Sequence, residues 1–250
     1  MIVASSRAAV LTATTTILIA LPLRGQAITP WEDENWHFDI SPYGQLTGVS
    51  GVVKAGGETV DLGSSSLSSG LFGLHLEVLK KSWIILAEGS YLKYGVDGRA
   101  QDDGALARLD LTQTMAEGAV GYSFGRVERS FAFLGGVRYL NIKGETTVEG
   151  QPTQSGSEGI WDPYLGLRFN WHVNPKLPII IRADVGGFQI ADVKSSWRVT
   201  LGTGYRLSNR IAIAGGWRWY DVEYKSDSTV DQIIYDVKQQ GPFLALTFGI

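Results

Sequence analysis

Beyond residue 27 the chain alternates apolar and polar residues with a period of two almost throughout, and Gly-containing breaks separate the runs. The clearest run is WDPYLGLRFNW. Trp161, Pro163, Leu165, Leu167, Phe169 and Trp171 fall on one face, and Asp162, Tyr164, Gly166, Arg168 and Asn170 on the other. The last residues, GPFLALTFGI, place Leu244, Leu246, Phe248 and Ile250 on one side of a strand that persists to the end of the sequence. The same pattern predicts ten strands, near Trp36–Gly48, Leu71–Leu79, Trp83–Val96, Leu106–Tyr122, Phe131–Ile142, Ile160–Trp171, Ile179–Ala191, Ser196–Leu207, Ile211–Tyr224 and Tyr235–Ile250. The third and fourth of these are ambiguous in parity, and a bulge near Leu109–Leu111 is one way to reconcile them.

Connections alternate in character. One set is longer and rich in Gly, Ser and acid, as in KGETTVEGQPTQSGSEG. The other is short, as in Lys80-Lys81-Ser82 and Ser208-Asn209-Arg210. Long loops on one side and tight turns on the other predict an all-β fold, a transmembrane antiparallel up-and-down β-barrel of about ten strands. An internal repeat supports the division: FAFLGGVRYLNI (131–142) matches IAIAGGWRWYDV (211–222) at an offset of 80, and PYLGLRF (163–169) matches PFLALTF (242–248) at an offset of 79.

The apolar faces decide the solvent. From Trp161 to Trp171 the strand rises about 33 Å, which a tilt of about 40–45° reduces to roughly 24 Å, the height of a membrane barrel's apolar band. Trp36, Trp83, Trp161, Trp171, Trp217 and Trp219 are the candidate aromatic belt, because amphipathic rings favour the membrane–water boundary. A soluble calyx with a greasy interior is disfavoured, since here the aromatic face lies opposite the arginines and would aggregate in water. In hydrocarbon only a closed barrel leaves no unpaired edge.

The N-terminus fits an exported protein. Arg7 precedes sixteen residues, Ala8 to Leu23, that include four threonines, and Gly25-Gln26-Ala27 resembles a signal-peptidase site. The expected division is a signal peptide over 1–27 and an outer-membrane barrel over 28–250. The chain lacks cysteine, so disulfides and thiolate metal sites are excluded, and a net charge of −3 with dispersed bases argues against nucleic acid as a partner.

Candidate chemistry lies in the lumen. Arg138, Arg168, Arg182 and Arg218 fall on inward positions, with Asp39, Glu77, Glu88, Glu117, Asp162 and Asp184 as counter-charges. Gly136 and Gly216, two residues before Arg138 and Arg218, leave room for a guanidinium to lie across. Ten strands is near the limit that side chains fill, so the first expectation is a salt-bridged plug, with a narrow charged pore as the alternative.

His37, His75 and His172 are the histidines of the expected mature chain, and none lies in an outer loop or beside a nucleophile. His75 with Glu77 supplies too few ligands for a metal. No catalytic residue, metal or cofactor is expected. Twelve acids (Glu58, Asp61, Asp97, Asp102, Asp103, Glu145, Glu149, Glu158, Asp192, Asp227, Asp231, Asp236) oppose six bases across the outer loops. The turns carry Lys80, Lys81, Arg126, Arg129, Lys176 and Arg210 against Glu128.

The signal peptide, the alternating strands, the GGVRY and GGWRW segments and the apolar final strand together resemble the small Gram-negative outer-membrane β-barrel superfamily. That resemblance implies an outer-membrane location among its lipids, and the twelve acids over six bases in the outer loops lead to the expectation that divalent cations held there bridge to lipopolysaccharide phosphates. It also implies that Leu244, Leu246, Phe248 and Ile250 serve as a signal for the barrel-assembly machinery, although an aromatic residue commonly ends that signal and Ile250 ends it here. The omptin proteases are similar in strand number, but they need an acidic pair facing an Asp–His pair; Asp102-Asp103 could mimic the first, and no histidine supplies the second. The expected protein is therefore non-enzymatic, with a structural or surface-interaction role. A porin-like channel is the rival reading, and a lipid-modifying enzyme a further one.

Overall fold

The computed structural model describes residues 35–55, 58–62, 67–99, 106–126, 128–148, 154–188, 193–225 and 234–250. The expected cleavage site after Ala27 lies outside them. The wall consists of β1 (His37–Ala55), β3 (Leu67–Lys80), β4 (Trp83–Arg99), β5 (Leu106–Arg126), β6 (Arg129–Val148), β7 (Gln154–Asn174), β8 (Leu177–Gly186), β9 (Val193–Arg206), β10 (Ile211–Lys225) and β11 (Ile234–Gly249). A short β2 (Glu58–Asp61) pairs with the outer end of β1, on the side that β3 continues. Each wall strand is antiparallel to its neighbours in sequence, and β11 closes onto β1 from Asp39 opposite Gly249 to Lys54 opposite Ile234. Closure gives every wall strand two partners, so no edge is left for hydrocarbon to strip of hydrogen bonds.

Tight connections gather at one end. Lys81 and Ser82 join β3 to β4, with Lys81 in the left-handed region (φ 51°). The start of β1 meets the chain terminus there, Ile250 N donating to Phe38 O at 2.9 Å. The other connections leave the opposite end, which we label the outer end, where several strands run further than the apolar alternation predicts. β5 and β6 stay in register through Asp110 opposite Glu145, and β6 and β7 through Glu145 opposite Ser155. Backbone pairing continues where the side chains have become polar, so strand length there is set by the ladder. β8 differs in the other direction: it ends at Gly186 rather than Ala191, because Gly187 (φ 90°) and Phe188 (φ 44°) turn the chain out of the strand.

The expected bulge near Leu109–Leu111 is absent, β5 holding unbroken register with both β4 and β6. The ambiguity has another cause: the wall reverses its polarity along its height. Across the membrane band Phe72, Ile85, Val120, Phe133, Leu165 and Leu201 point outward and are exposed. Beyond it, toward the outer end, the exposed positions are Arg108, Lys143, Glu145, Ser155 and Lys238. There the inward positions are mainly apolar: Leu92, Tyr94, Leu111, Met115, Ile142, Val222, Tyr224, Tyr235 and Val237 form one buried cluster, with Gln113 and Gln239 hydrogen-bonded among them.

The outer third therefore has a largely greasy interior and a wet exterior, as a soluble barrel does, stacked on a membrane barrel that is apolar outside and ionic at mid-height, with a smaller inward apolar cluster of Leu79, Ile84, Leu86 and Leu134 nearer the turn end. Ion pairs decorate its wet face: Lys194–Glu223 at 2.6 Å, Lys238–Asp221 at 3.5 Å and Arg108–Asp110 at 2.9 Å. The hydrogen-bonded Arg108 guanidinium holds the Asp110 carboxyl below its ordinary range.

Candidate functional site

At mid-height a single row of inward residues follows the hydrogen-bonding direction around the wall. His75 is opposite Glu88, Glu88 opposite Glu117, Glu117 opposite Arg138, and Arg138 opposite Asp162. Period-two alternation on five successive strands, with register fixed by the ladder, brings together residues up to 87 positions apart in the chain. Arg138 is the hub. Its side chain is wholly buried, donating to Glu117 Oε2 at 3.3 Å and Asp162 Oδ2 at 2.8 Å and also to Asp184. Glu117 Oε1 accepts from Arg182 at 2.6 Å, Arg198 at 2.8 Å and Tyr164 Oη at 2.8 Å. Asp184 also accepts from Arg198 Nε at 3.1 Å. Ser196 Oγ at 2.7 Å and the Gly187 amide at 2.8 Å complete the shell of Asp162.

Three arginines (Arg138, Arg182, Arg198) thus meet three carboxylates (Glu117, Asp162, Asp184), and the cluster is neutral as a whole. Neutrality matters because desolvating an ion costs several kcal/mol, roughly, unless partners and hydrogen bonds satisfy it.

A second ionic group lies beside the first. Arg218 donates to Glu88 at 2.8 Å and Tyr43 Oη at 3.1 Å, and Tyr43 donates to the same carboxylate at 2.6 Å. Arg168 donates to Glu77 at 2.7 Å and to Asn170 at 2.9 Å. His75 bridges the two acids, 3.5 Å from Glu77 and 3.3 Å from Glu88. Glu88 and Glu117 are like charges on adjacent strands, and each is held by a different set of cations.

The internal repeat explains part of this layout. Val137 is opposite Pro163 as Trp217 is opposite Pro242, so both copies form the same hairpin in the same register. Where Arg138 finds Asp162 on its partner strand, Arg218 finds Gly241. Lacking that carboxylate, Arg218 crosses the lumen to Glu88 and lies over the rings of Tyr43 and Phe243.

Of the sequence-predicted lumen residues, nine join these groups: Glu77, Glu88, Glu117, Arg138, Asp162, Arg168, Arg182, Asp184 and Arg218. Asp39 faces the lumen at the turn end and makes no side-chain ion pair among the described residues. Arg198 is the residue the sequence reading missed. The signal was in SSWRVT: with Trp197 exposed and Leu201 exposed four residues later, Arg198 must face inward. The space beside Gly136 goes to Tyr164 rather than to a guanidinium, and at Gly216 it goes to the close backbone of Leu201 and Gly202 on β9.

Trp36, Trp83 and Trp171 are exposed at the turn end, while Trp161, Trp217 and Trp219 lie on the outer half. Trp217 and Trp219 approach to 6.1 Å between rings. Leu244, Leu246, Phe248 and Ile250 all point outward. Among the acids assigned to outer loops, Glu145 sits on β6, Asp236 on β11 and Glu158 on β7, where Glu158 accepts from Tyr224 Oη at 2.8 Å. Asp102, Asp103, Glu149, Asp192, Asp227 and Asp231 lie outside the described residues, as do the side chains of Glu58, Asp61 and Asp97. His37 and His172 are near the turn end, and no cluster of three potential metal ligands occurs among the described residues.

A closed antiparallel wall, apolar outside and ionic within, defines a transmembrane β-barrel of the outer-membrane class. No protein-family profile matches the chain, and no curated protein matches it in sequence. Solved structures do match. The outer membrane protease OmpT from Escherichia coli is similar over 88% of this chain and 99% of its own, at 11% identity and a TM-score of 0.58. The translocator domain of the autotransporter NalP from Neisseria meningitidis matches over 87% of this chain and 89% of its own, with 13% identity and a TM-score of 0.48. The likeness to OmpT is one of fold: the two chains share the barrel of an outer-membrane protein along nearly their whole length.

Proposed function

We propose that this protein is a non-catalytic barrel whose lumen is plugged by its own side chains and whose specific contacts are made at its outer end. The observation that carries the reading is the neutral Arg138–Arg182–Arg198 cluster on Glu117, Asp162 and Asp184, with the apolar cluster around Leu111, Tyr224 and Tyr235 stacked toward the outer end. A solute would have to cross both a lattice of charge-assisted hydrogen bonds and a greasy layer. In planar bilayers the wild-type protein is expected to give no reproducible conductance steps, and a variant carrying Arg138→Ala with Arg198→Ala to give small openings. Regular openings from the wild type would favour the narrow porin-like channel instead.

In this reading the turn end faces the periplasm, the tryptophans mark the two boundaries of the membrane, and the final strand serves the barrel-assembly machinery. The acids of the outer loops hold divalent cations that bridge to lipopolysaccharide phosphates. Chelator is expected to raise the protease sensitivity of the loops and lower lipid retention, and unchanged values would remove that contact from the proposal. Enzymatic readings have less support. The positions of His37, His75 and His172 offer no acid–base pair at the outer mouth, and outer-membrane lipid mass spectra altered by expression would restore the lipid-modifying alternative.

A further inference from the structure

On the outer face of the wall near the turn end, Trp36, Val78, Lys80, Trp83, Ile85 and Val120 line an open groove of about 150 Å³. Its walls are apolar except for Lys80, whose ammonium lies 4.5 Å over the Trp36 ring. No carboxylate pairs with Lys80 among the described residues. The groove follows from the register: Val78 is opposite Ile85, and Ile85 opposite Val120, so three small or branched side chains lie side by side between larger neighbours. Trp83 rises beside it, braced edge-on by Tyr122 at 5.2 Å. An apolar groove running across three strands of the lipid face, with a cation at its turn-end edge that no carboxylate pairs among the described residues, suits part of an acyl chain beside an anionic headgroup.

We infer that this groove binds an anionic glycerophospholipid of the periplasmic leaflet, one acyl chain along Val78, Ile85 and Val120 and the headgroup phosphate on Lys80. The inference rests on the turn end facing the periplasm. The turns at that end add Lys81, Arg126, Arg129, Lys176 and Arg210 against Glu128, while Glu32, Asp33 and Glu34 precede Trp36 in the sequence. A basic side chain near a membrane surface favours an anionic lipid by about fivefold.

The test is native mass spectrometry of the membrane-extracted protein in micelles, titrated with dioleoyl-phosphatidylglycerol or with zwitterionic dioleoyl-phosphatidylcholine. The wild type is expected to retain the anionic lipid about fivefold better. Lys80→Gln should abolish that preference, Lys176→Gln at the same end should leave it, and Val120→Trp, which fills the groove, should reduce retention of both lipids. A preference that survives Lys80→Gln, one lost equally in Lys176→Gln, or retention indifferent to Val120→Trp overturns the site. Failure of the membrane reading would appear separately, as loss of outer-membrane fractionation and of heat-modifiable migration in detergent gels.

Discussion

Replacing Arg138 with leucine is expected to lower the unfolding free energy of the barrel by about 3–5 kcal/mol, the range for stranding the partners of a buried ion pair. Three carboxylates would lose their common donor at once, in a place where water cannot substitute. Leucine fills part of the volume but offers no N–H. Urea titration of the protein in phospholipid vesicles, followed by tryptophan fluorescence, measures the loss. Adding Asp162→Asn and Asp184→Asn to the leucine variant should recover part of it, since the penalty arises from unpaired charge rather than from lost packing. Removing Lys194 from its exposed pair with Glu223 should leave the midpoint where it was. A loss for Arg138→Leu no larger than about 1 kcal/mol would mean that water reaches the cluster and that the lumen is not dry.

The second large effect concerns the outside of the wall. Leu165 and Ser157 lie on the same face of β7, eight residues apart, and both are exposed. Leu165 sits near the middle of the span from Trp161 to Trp171, so Leu165→Arg places a charge near the centre of the hydrocarbon and should cost about 2–4 kcal/mol. Ser157→Arg lies beyond the point at which the wall changes polarity and should change stability by no more than about 0.5 kcal/mol. The same urea titration in vesicles compares them. Equal costs at the two positions would contradict the polarity reversal, because a uniform exterior would penalise both alike.

Within the membrane band the sequence was easy to read. On β7 and β11 every outward residue from Trp161 to Trp171 and from Leu244 to Ile250 is apolar, so period two alone assigned the faces. The outer third was not readable in the same way. There the apolar set moves to the inward positions, so Leu92 and Tyr94 on β4 share a face with Glu88, while Ile85 and Ala87 point outward from the same strand. A strand that is greasy on both faces at one end, where Ile84 and Leu86 point inward beside outward Ile85 and Ala87, and greasy only inside at the other mimics a bulge when read as text. Solvent on each side, rather than any local break in register, produces that pattern.

The sequence by itself determined which residues could face inward and that the ionic ones belonged together on that side, because a strand's side-chain direction follows from parity alone. It also located most of the participants, Arg198 included, had the parity of Trp197 and Leu201 been followed. Only the tertiary structure decided who binds whom. Partnership across the lumen depends on the stagger of ten strands and on the closure of β11 onto β1, which no local pattern encodes. For this reason Arg138 takes an acid from the strand next to it while its repeat counterpart Arg218, facing Gly241, reaches across the barrel to Glu88.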